Sequence, residues 1–192
     1  AGTVVTGSQA STTLAVAAGD FSGAIEGAGS LRKSLAGTFT LRGVASYAGA
    51  TRIGSGTLAL ADGGALPAGS LLDVSTGASF DASGISGTGT AGDALAGGGA
   101  VVLGAKSLTL SGGTSAYYNG TLSGTGALYK NGPGTQVLAG ASQHLGGTVI
   151  SGGTLAVEGD GSLAAGGAVR VEDGARFRIR QVDSGALTIG AL

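Results

Sequence analysis

His144 is the only histidine of the chain, and cysteine is absent. A single histidine without cysteine ligands does not make a zinc site. A serine nucleophile would need a shaped turn such as G-x-S-x-G, which the sequence lacks. His144 stands in the polar stretch SQHLGG, which predicts an exposed bend. At this position the sequence therefore predicts no catalytic, metal-binding or cofactor-binding residue.

Two aspartates suggest a different chemistry, because glycoside-cleaving enzymes act through pairs of carboxylates. Asp73 and Asp81 are predicted on outward positions of neighbouring strands. No third acid, lysine or arginine clusters near them in the sequence, so a polysaccharide-acting site remains only an alternative. The stretch GTGTAG at 87–92 matches the nucleotide-binding pattern G-x-G-x-x-G. That motif requires a helix after it, and the DALAGGG that follows does not predict one. We therefore expect no cofactor and no catalytic residue.

Composition sets the class of protein. Glycine makes up 42 of 192 residues, apolar residues 42% and charged residues 11%. The apolar share argues against disorder, and two prolines with no three-residue period exclude collagen. A net charge of −1 does not point to nucleic acid as a partner. We expect residues 1–192 to form a single unit, a piece of a larger exported protein.

An internal repeat organises the chain. Residues 22–80 align without a gap on residues 119–177, a shift of 97 positions, with 24 identities in 59 positions. The shared residues include Leu31 and Leu128, Lys33 and Lys130, and Phe80 and Phe177. Such gap-free alignment favours stacked structure, because an insertion breaks the register of a stack. The Gly/Ala-rich residues 81–118 between the copies predict a looser connection, with a loop or protruding bend around 84–100.

The elements of the repeat are short strands separated by glycine-rich turns. In TLAV (154–157), Leu155 and Val157 point to one side while Thr154 and Ala156 point to the other. In RFRIR (176–180), the arginines are predicted outward and the apolar residues inward. Strands of three to five residues, with no helical period between them, leave a sandwich, a barrel or a parallel solenoid. The repeat and the glycine-rich corners favour the solenoid.

The motif GTGALYKNGPGTQVLAG (124–140) followed by GGTVISGGTLAV (146–157) resembles the β-strand repeat of bacterial autotransporter passenger domains. The segments at 27–43 and 49–60 resemble a degraded copy, with Leu35-Ala36 in place of Gly132-Pro133. The resemblance implies an all-β fold: a right-handed, single-stranded parallel β-helix (β-solenoid) of about nine coils. It also implies a place on the surface of a Gram-negative bacterium and type V secretion. The implied partners are the rest of the passenger and its outer-membrane β-barrel.

Two groups of side chains are candidates for an interaction surface. Four of the seven arginines fall within VRVEDGARFRIR, and we expect Arg170, Arg176, Arg178 and Arg180 to form a basic patch near one end. Tyr117 and Tyr118 are adjacent, so at least one of them should face outward. A host surface, an acidic glycan or a second copy of the chain could be bound there, while nucleic acid is not expected.

These features predict a stalk or spacer with a role in adhesion or virulence, and not an enzyme. Its C-terminal part is expected to aid folding during secretion if it lies near the barrel. One alternative is the non-catalytic β-helix portion of an exported protease or esterase, whose catalytic domain lies outside these residues. Another is a β-helix that acts on polysaccharides.

Overall fold

The computed structural model describes residues 2–182 and 191–192, which form stacked coils of parallel strands and contain no helix. Accordingly, no membrane-spanning helix occurs among the residues it describes. Each coil visits three faces in turn, and register partners such as Leu31, Thr51, Leu72 and Leu95 follow one another at about twenty residues. The prediction of an all-β parallel solenoid of about nine coils is confirmed. At about 4.8 Å per coil, the stack is about 40 Å long.

Two faces are continuous sheets, with strands numbered in chain order. The nine-stranded sheet contains β2 (Thr13–Val16), β5 (Ser30–Lys33), β7 (Thr51–Ile53), β9 (Leu72–Val74), β12 (Leu95–Gly97), β15 (Ala116–Tyr118), β18 (Thr135–Leu138), β21 (Thr154–Gly159) and β24 (Arg176–Val182). The eight-stranded sheet contains β3 (Gly19–Phe21), β6 (Thr38–Leu41), β8 (Thr57–Asp62), β10 (Ser79–Ile85), β13 (Ala100–Gly104), β16 (Thr121–Gly124), β19 (Ala141–His144) and β22 (Ser162–Leu163).

The third face is less regular near the N-terminus. There β1 (Thr3–Val5) pairs with β4 (Ala24–Glu26), and only isolated bridges extend the face through residues 44–45 and 65. Farther on, a five-stranded sheet contains β11 (Gly89–Gly92), β14 (Ser107–Leu110), β17 (Leu128–Lys130), β20 (Thr148–Ile150) and β23 (Val169–Val171). The second half of the chain therefore has complete ladders on all three faces.

The interior is a column of side chains from every second strand position. In the eight-stranded sheet, Phe39, Leu58, Phe80, Val101 and Leu122 are successive register partners, and all are buried. Each coil therefore buries its apolar residues on those of the coils before and after it. This arrangement follows from the two-residue period of the strands.

Residues 81–118 are not a loose connection. The prediction of a loop or protruding bend around 84–100 is wrong, because β10, β11, β12 and β13 cover most of this range with regular parallel pairing. Gly89 and Gly92 lie within β11, and their backbones pair with β14. The ladder to the adjacent coil holds these residues as strands, although glycine and alanine have low strand propensity.

The two copies of the repeat share several bends. At equivalent positions, Gly56 and Gly153 have φ of 68° and 63°, and Asp62 and Gly159 have φ of 52° and 58°. Such positive φ values favour glycine at these corners. The interruptions that glycine makes between short apolar runs thus coincide with bends of the coil.

The copies do not lie on the same faces. β5 and β7 of the first copy belong to the nine-stranded sheet, whereas their counterparts β17 and β20 lie on the third face. Likewise β8 lies in the eight-stranded sheet and its counterpart β21 in the nine-stranded one. From β5 to β17 the chain passes fourteen faces, which is four coils and two-thirds of a fifth. A shift of 97 residues therefore moves each strand to the preceding face.

Candidate functional site

The four arginines of the predicted basic patch are all exposed, but they lie on two faces. Arg170 is in β23 of the third face, while Arg176, Arg178 and Arg180 are in β24 of the nine-stranded sheet. Two of them are paired with acids: Nη2 of Arg170 lies 3.1 Å from Glu172, and Nη1 of Arg180 lies 3.5 Å from Glu158. The four arginines therefore do not form one patch, because a corner of the coil separates Arg170 from the other three.

The two adjacent tyrosines point in opposite directions. Tyr117 is 54% exposed on the outer surface of β15, whereas Tyr118 is fully buried. The hydroxyl of Tyr118 lies 2.8 Å from the carbonyl oxygens of both Gly99 and Thr121, and burial raises the pKa of this group. Including Tyr118 in the interaction surface was therefore wrong, because strand alternation directs it into the core.

The prediction of an exposed His144 is also wrong. His144 is 2% exposed at the inward end of β19, and its Nε2 lies 2.9 Å from Oγ1 of Thr148. Its Nδ1 is buried without a hydrogen-bond partner, and burial lowers the pKa of the imidazole. The equivalent residue of the first copy, Tyr47, is buried too, with its hydroxyl 2.5 Å from Oγ1 of Thr51. Both copies thus use an aromatic side chain and a threonine at this corner.

Two of the three lysines are buried, which the sequence pattern did not indicate. Lys130 is 3% exposed at the end of β17, and its Nζ donates to the carbonyl oxygen of Gly132 at 2.5 Å. The same Nζ donates to the carbonyl of Gly152 in the next coil at 3.2 Å. Burial lowers the pKa of Lys130, and the nearby Asp93 carboxylate opposes that shift. The ammonium therefore ties one corner to the next.

Lys33 makes the same arrangement in the first copy. Its side chain is fully buried, and its Nζ donates to the carbonyl of Leu35 and, at 3.1 Å, to that of Ser55 in the next coil. Burial lowers the pKa of Lys33 as well. The only sequence signal for these corners was the identity of the two lysines across the 97-residue shift.

Gln136 fills a gap in the nine-stranded sheet. Between β12 and β15 the register consists only of the pair Gly97 and Tyr118, which leaves the backbone of Leu95 without ladder bonds to β15. The side chain of Gln136, one coil farther on, accepts from the N–H of Leu95 at 3.0 Å and donates to its carbonyl at 2.8 Å. An amide side chain thus takes the place of a missing backbone pair.

The two aspartates of the predicted carboxylate pair lie on different faces. Asp73 is in β9 of the nine-stranded sheet, and its Oδ2 lies 3.8 Å from Nε of Arg52. Asp81 is in β10 of the eight-stranded sheet and accepts a hydrogen bond from the N–H of Ser83. Although β9 and β10 follow one another in the chain, the two carboxylates lie on different faces and do not converge across one groove, as a polysaccharide-acting site would require. Within residues 2–182 and 191–192, no three His, Asp or Glu side chains come together to hold a metal.

Open grooves lie on the outer surface. One of about 410 Å³ lies on the nine-stranded sheet and is lined by Arg32, Arg52, Asp73 and neighbouring hydroxyl residues. A second, of about 480 Å³, lies on the third face, where Ala65, Leu66 and β11 meet. A third, of about 510 Å³, surrounds residues 170–173. Shallow grooves of this kind suit contact with an extended partner better than enclosure of a small molecule.

The comparisons with known proteins agree with the repeat. Residues 27–60 and 128–157 match the family model of the passenger-associated transport repeat, and both matches end 97 positions apart, as the two copies do. The chain is 40% identical over 118 residues to the adhesin BmaC autotransporter of Brucella suis biovar 1 (strain 1330). This match covers 59% of the chain and 3% of that much longer relative. No solved structure matches the chain.

Proposed function

The chain is a segment of an autotransporter passenger domain, and on that basis we propose that it is a rigid, non-catalytic spacer that also serves adhesion at the cell surface. The observation that carries the proposal is the nine-stranded sheet, in which one strand of every coil pairs with the next from β2 to β24. A solenoid of this kind resists bending because each coil bonds to the coils before and after it. Its length then sets the distance between the bacterium and whatever lies beyond the segment.

The adhesive part of the proposal has separate support. The relative that shares 40% identity is named an adhesin. The outer surface offers grooves and exposed side chains, including Tyr117 and the terminal arginines. We infer that the parent protein is anchored through its own outer-membrane translocator and that these faces meet a host surface. Arg170, Arg176, Arg178 and Arg180 remain candidates for this contact on the last two faces of the stack.

A deletion of whole coils tests the spacer role. Joining Leu72 directly to Val137 removes three coils, together with Gln136 and its partner Leu95, and keeps inward residues inward, because Asp73, Ala96, Tyr117 and Val137 occupy one register position. In the full-length protein on cells, we expect normal display with a passenger about 14 Å shorter by cryo-electron tomography. The matched control joins Leu71 to Val137, which removes one residue more, reverses inward and outward residues and should abolish display. Equal display of both variants would contradict a register-dependent spacer.

We further propose that residues 119–177 aid folding during secretion. This half has strands on all three faces, whereas the first half has only isolated bridges on its third face between β4 and β11. More ladder bonds per coil favour a stable unit on which later coils can stack. Hydrogen exchange should therefore be slower in β16–β21 than in β1–β8. Equal protection of both halves would count against a folding role for this region.

A further inference from the structure

Two arginines are stacked in the outward column of the nine-stranded sheet. Arg32 in β5 and Arg52 in β7 are register partners on successive coils, and both are exposed. Successive strands are about 4.8 Å apart, so two like charges lie directly opposite one another. Such pairs destabilise a sheet in the absence of a counter-charge.

Arg42 shows how acids of adjacent coils can neutralise an outward arginine in this chain. Arg42 lies between two aspartates of adjacent coils, with Nε 2.9 Å from Asp20 and Nη1 2.8 Å from Asp62. By contrast, no carboxylate of the described residues lies within ion-pair distance of Arg32. Arg52 has a single, longer contact of 3.8 Å with Asp73. The positive charge of Arg32 and Arg52 is therefore not fully neutralised by neighbouring acids, unlike that of Arg42.

A buried lysine adds a third positive charge beneath the two arginines. Lys33 follows Arg32 in the same strand and points into the core, where its ammonium contacts only carbonyl oxygens. Arg32, Lys33, Arg52 and Asp73 together give a local charge of +2, in a chain whose net charge is −1. An anion at this surface would be attracted by the whole cluster and not by one exposed guanidinium.

The shape and lining indicate the kind of anion. The groove of about 410 Å³ over these arginines is lined by hydroxyl groups of Thr13, Ser30 and Ser75. It contains no aromatic residue, and its one large apolar residue, Leu31, is buried. Protein partners usually bind through a buried aromatic or aliphatic anchor, which has no pocket here. Hydroxyls and guanidiniums instead suit the carboxylate, sulfate and hydroxyl groups of a sugar chain.

We propose that Arg32 and Arg52 form a binding site for an acidic polysaccharide, with one carboxylate or sulfate group bridging the two guanidiniums. Asp73 of the next coil lies beside Arg52 and orients the guanidinium of Arg52. Arg32 supplies the positive charge that no acid neutralises. The inference rests on the proposed adhesive function, for which it names a ligand class. It does not depend on the spacer role.

Binding of heparin to the purified chain tests the site, with titration calorimetry at low and at physiological salt. The variant R32Q/R52Q should bind at least about tenfold more weakly than the wild type, since it loses two charge-assisted contacts. The matched control is R42Q/K106Q, which removes the same charge at two residues outside this groove and should stay within about threefold. Neutral dextran should not bind, and polyglutamate should bind more weakly than heparin.

A second readout distinguishes lost binding from lost structure. Because like charges repel across the ladder, R32Q/R52Q should melt at the same temperature as the wild type or higher, while losing heparin affinity. Equal losses in both double variants, a larger loss in the control, absence of heparin binding by the wild type, or a preference for polyglutamate would each overturn the proposal. The coil-deletion experiment reports on the spacer separately, so it can succeed when heparin binding fails.

Discussion

Replacing Lys130 by methionine should destabilise the second copy of the repeat. Methionine keeps most of the aliphatic stem but removes the ammonium that donates to the carbonyls of Gly132 and Gly152. No other hydrogen bond reaches these two carbonyls in the described part of the chain. The variant therefore leaves two acceptors of adjacent coils without a donor.

The magnitude follows from these two bonds. Hydrogen bonds to a charged group contribute about 1.5–3 kcal/mol each after desolvation is included. The bond to Gly132 is buried, whereas that to Gly152 is partly buried, so water can replace the second one in part. We expect K130M to lower the free energy of unfolding by about 3 kcal/mol, the low end of the sum. K33M should lose about 2 kcal/mol, since both of its bonds are partly buried.

Urea unfolding followed by far-ultraviolet circular dichroism measures the loss, and hydrogen exchange in residues 148–157 locates it. The control is K106M, at the third lysine, whose side chain makes no hydrogen bond to any of the described residues and which should change stability by less than about 0.5 kcal/mol. The double variant K33M/K130M should lose about the sum, because the two sites are far apart. A K130M protein as stable as the wild type would refute the reasoning, because backbone hydrogen bonds alone would then be enough to hold this corner.

Three further predictions concern other buried groups. The pKa of His144 lies below its usual value of about 6.5, so the unfolded chain takes up the proton first. Stability should therefore be intact above that pH and fall as the pH decreases below it, and melting scans at pH 7.5 and 5.0 should show a smaller acid loss in H144Y. Q136L should cost about 1–3 kcal/mol in urea, because the N–H and carbonyl of Leu95 lose their partner. G120A should cost at least about 2 kcal/mol, since its methyl group would collide with a carbonyl of the preceding coil, whereas G69A, with open space around it, should be neutral in the same assay.

The alternation of short apolar runs predicted the strands, and the gap-free repeat with its glycine-rich corners favoured the solenoid among the all-β folds. Leu155 and Val157 point into the core as their two-residue spacing indicates, and the gap-free repeat matched the stacking of coils. Val171 and Ile179 are more exposed than that spacing predicts, at 39% and 52%. Both lie in the strands that end their sheets within the described residues, where a neighbouring strand is described on one side only.

The buried polar side chains could not be predicted in this way. A hydrophobic pattern assigns lysine, glutamine and histidine to the outside, because their cost of burial is normally high. At Lys33, Lys130 and Gln136 that cost is offset by carbonyl and amide groups from other coils, which lie about twenty or forty residues away in sequence. Single-chain patterns do not reveal which backbone groups a bend leaves unpaired. Only the recurrence of lysine at the 97-residue shift pointed to these corners.

The mismatch between the repeat and the coil has a consequence for how such a passenger grows. A duplication of 97 residues lengthens the shaft by four and two-thirds coils and also turns the new copy by one-third of a revolution. Three copies in tandem would display the same outward side chains toward three directions around the axis, and a fourth would return to the first. Repetition of this length would thus wind a single stripe of outward side chains into a spiral, so that the same side chains would face every direction around the fibre.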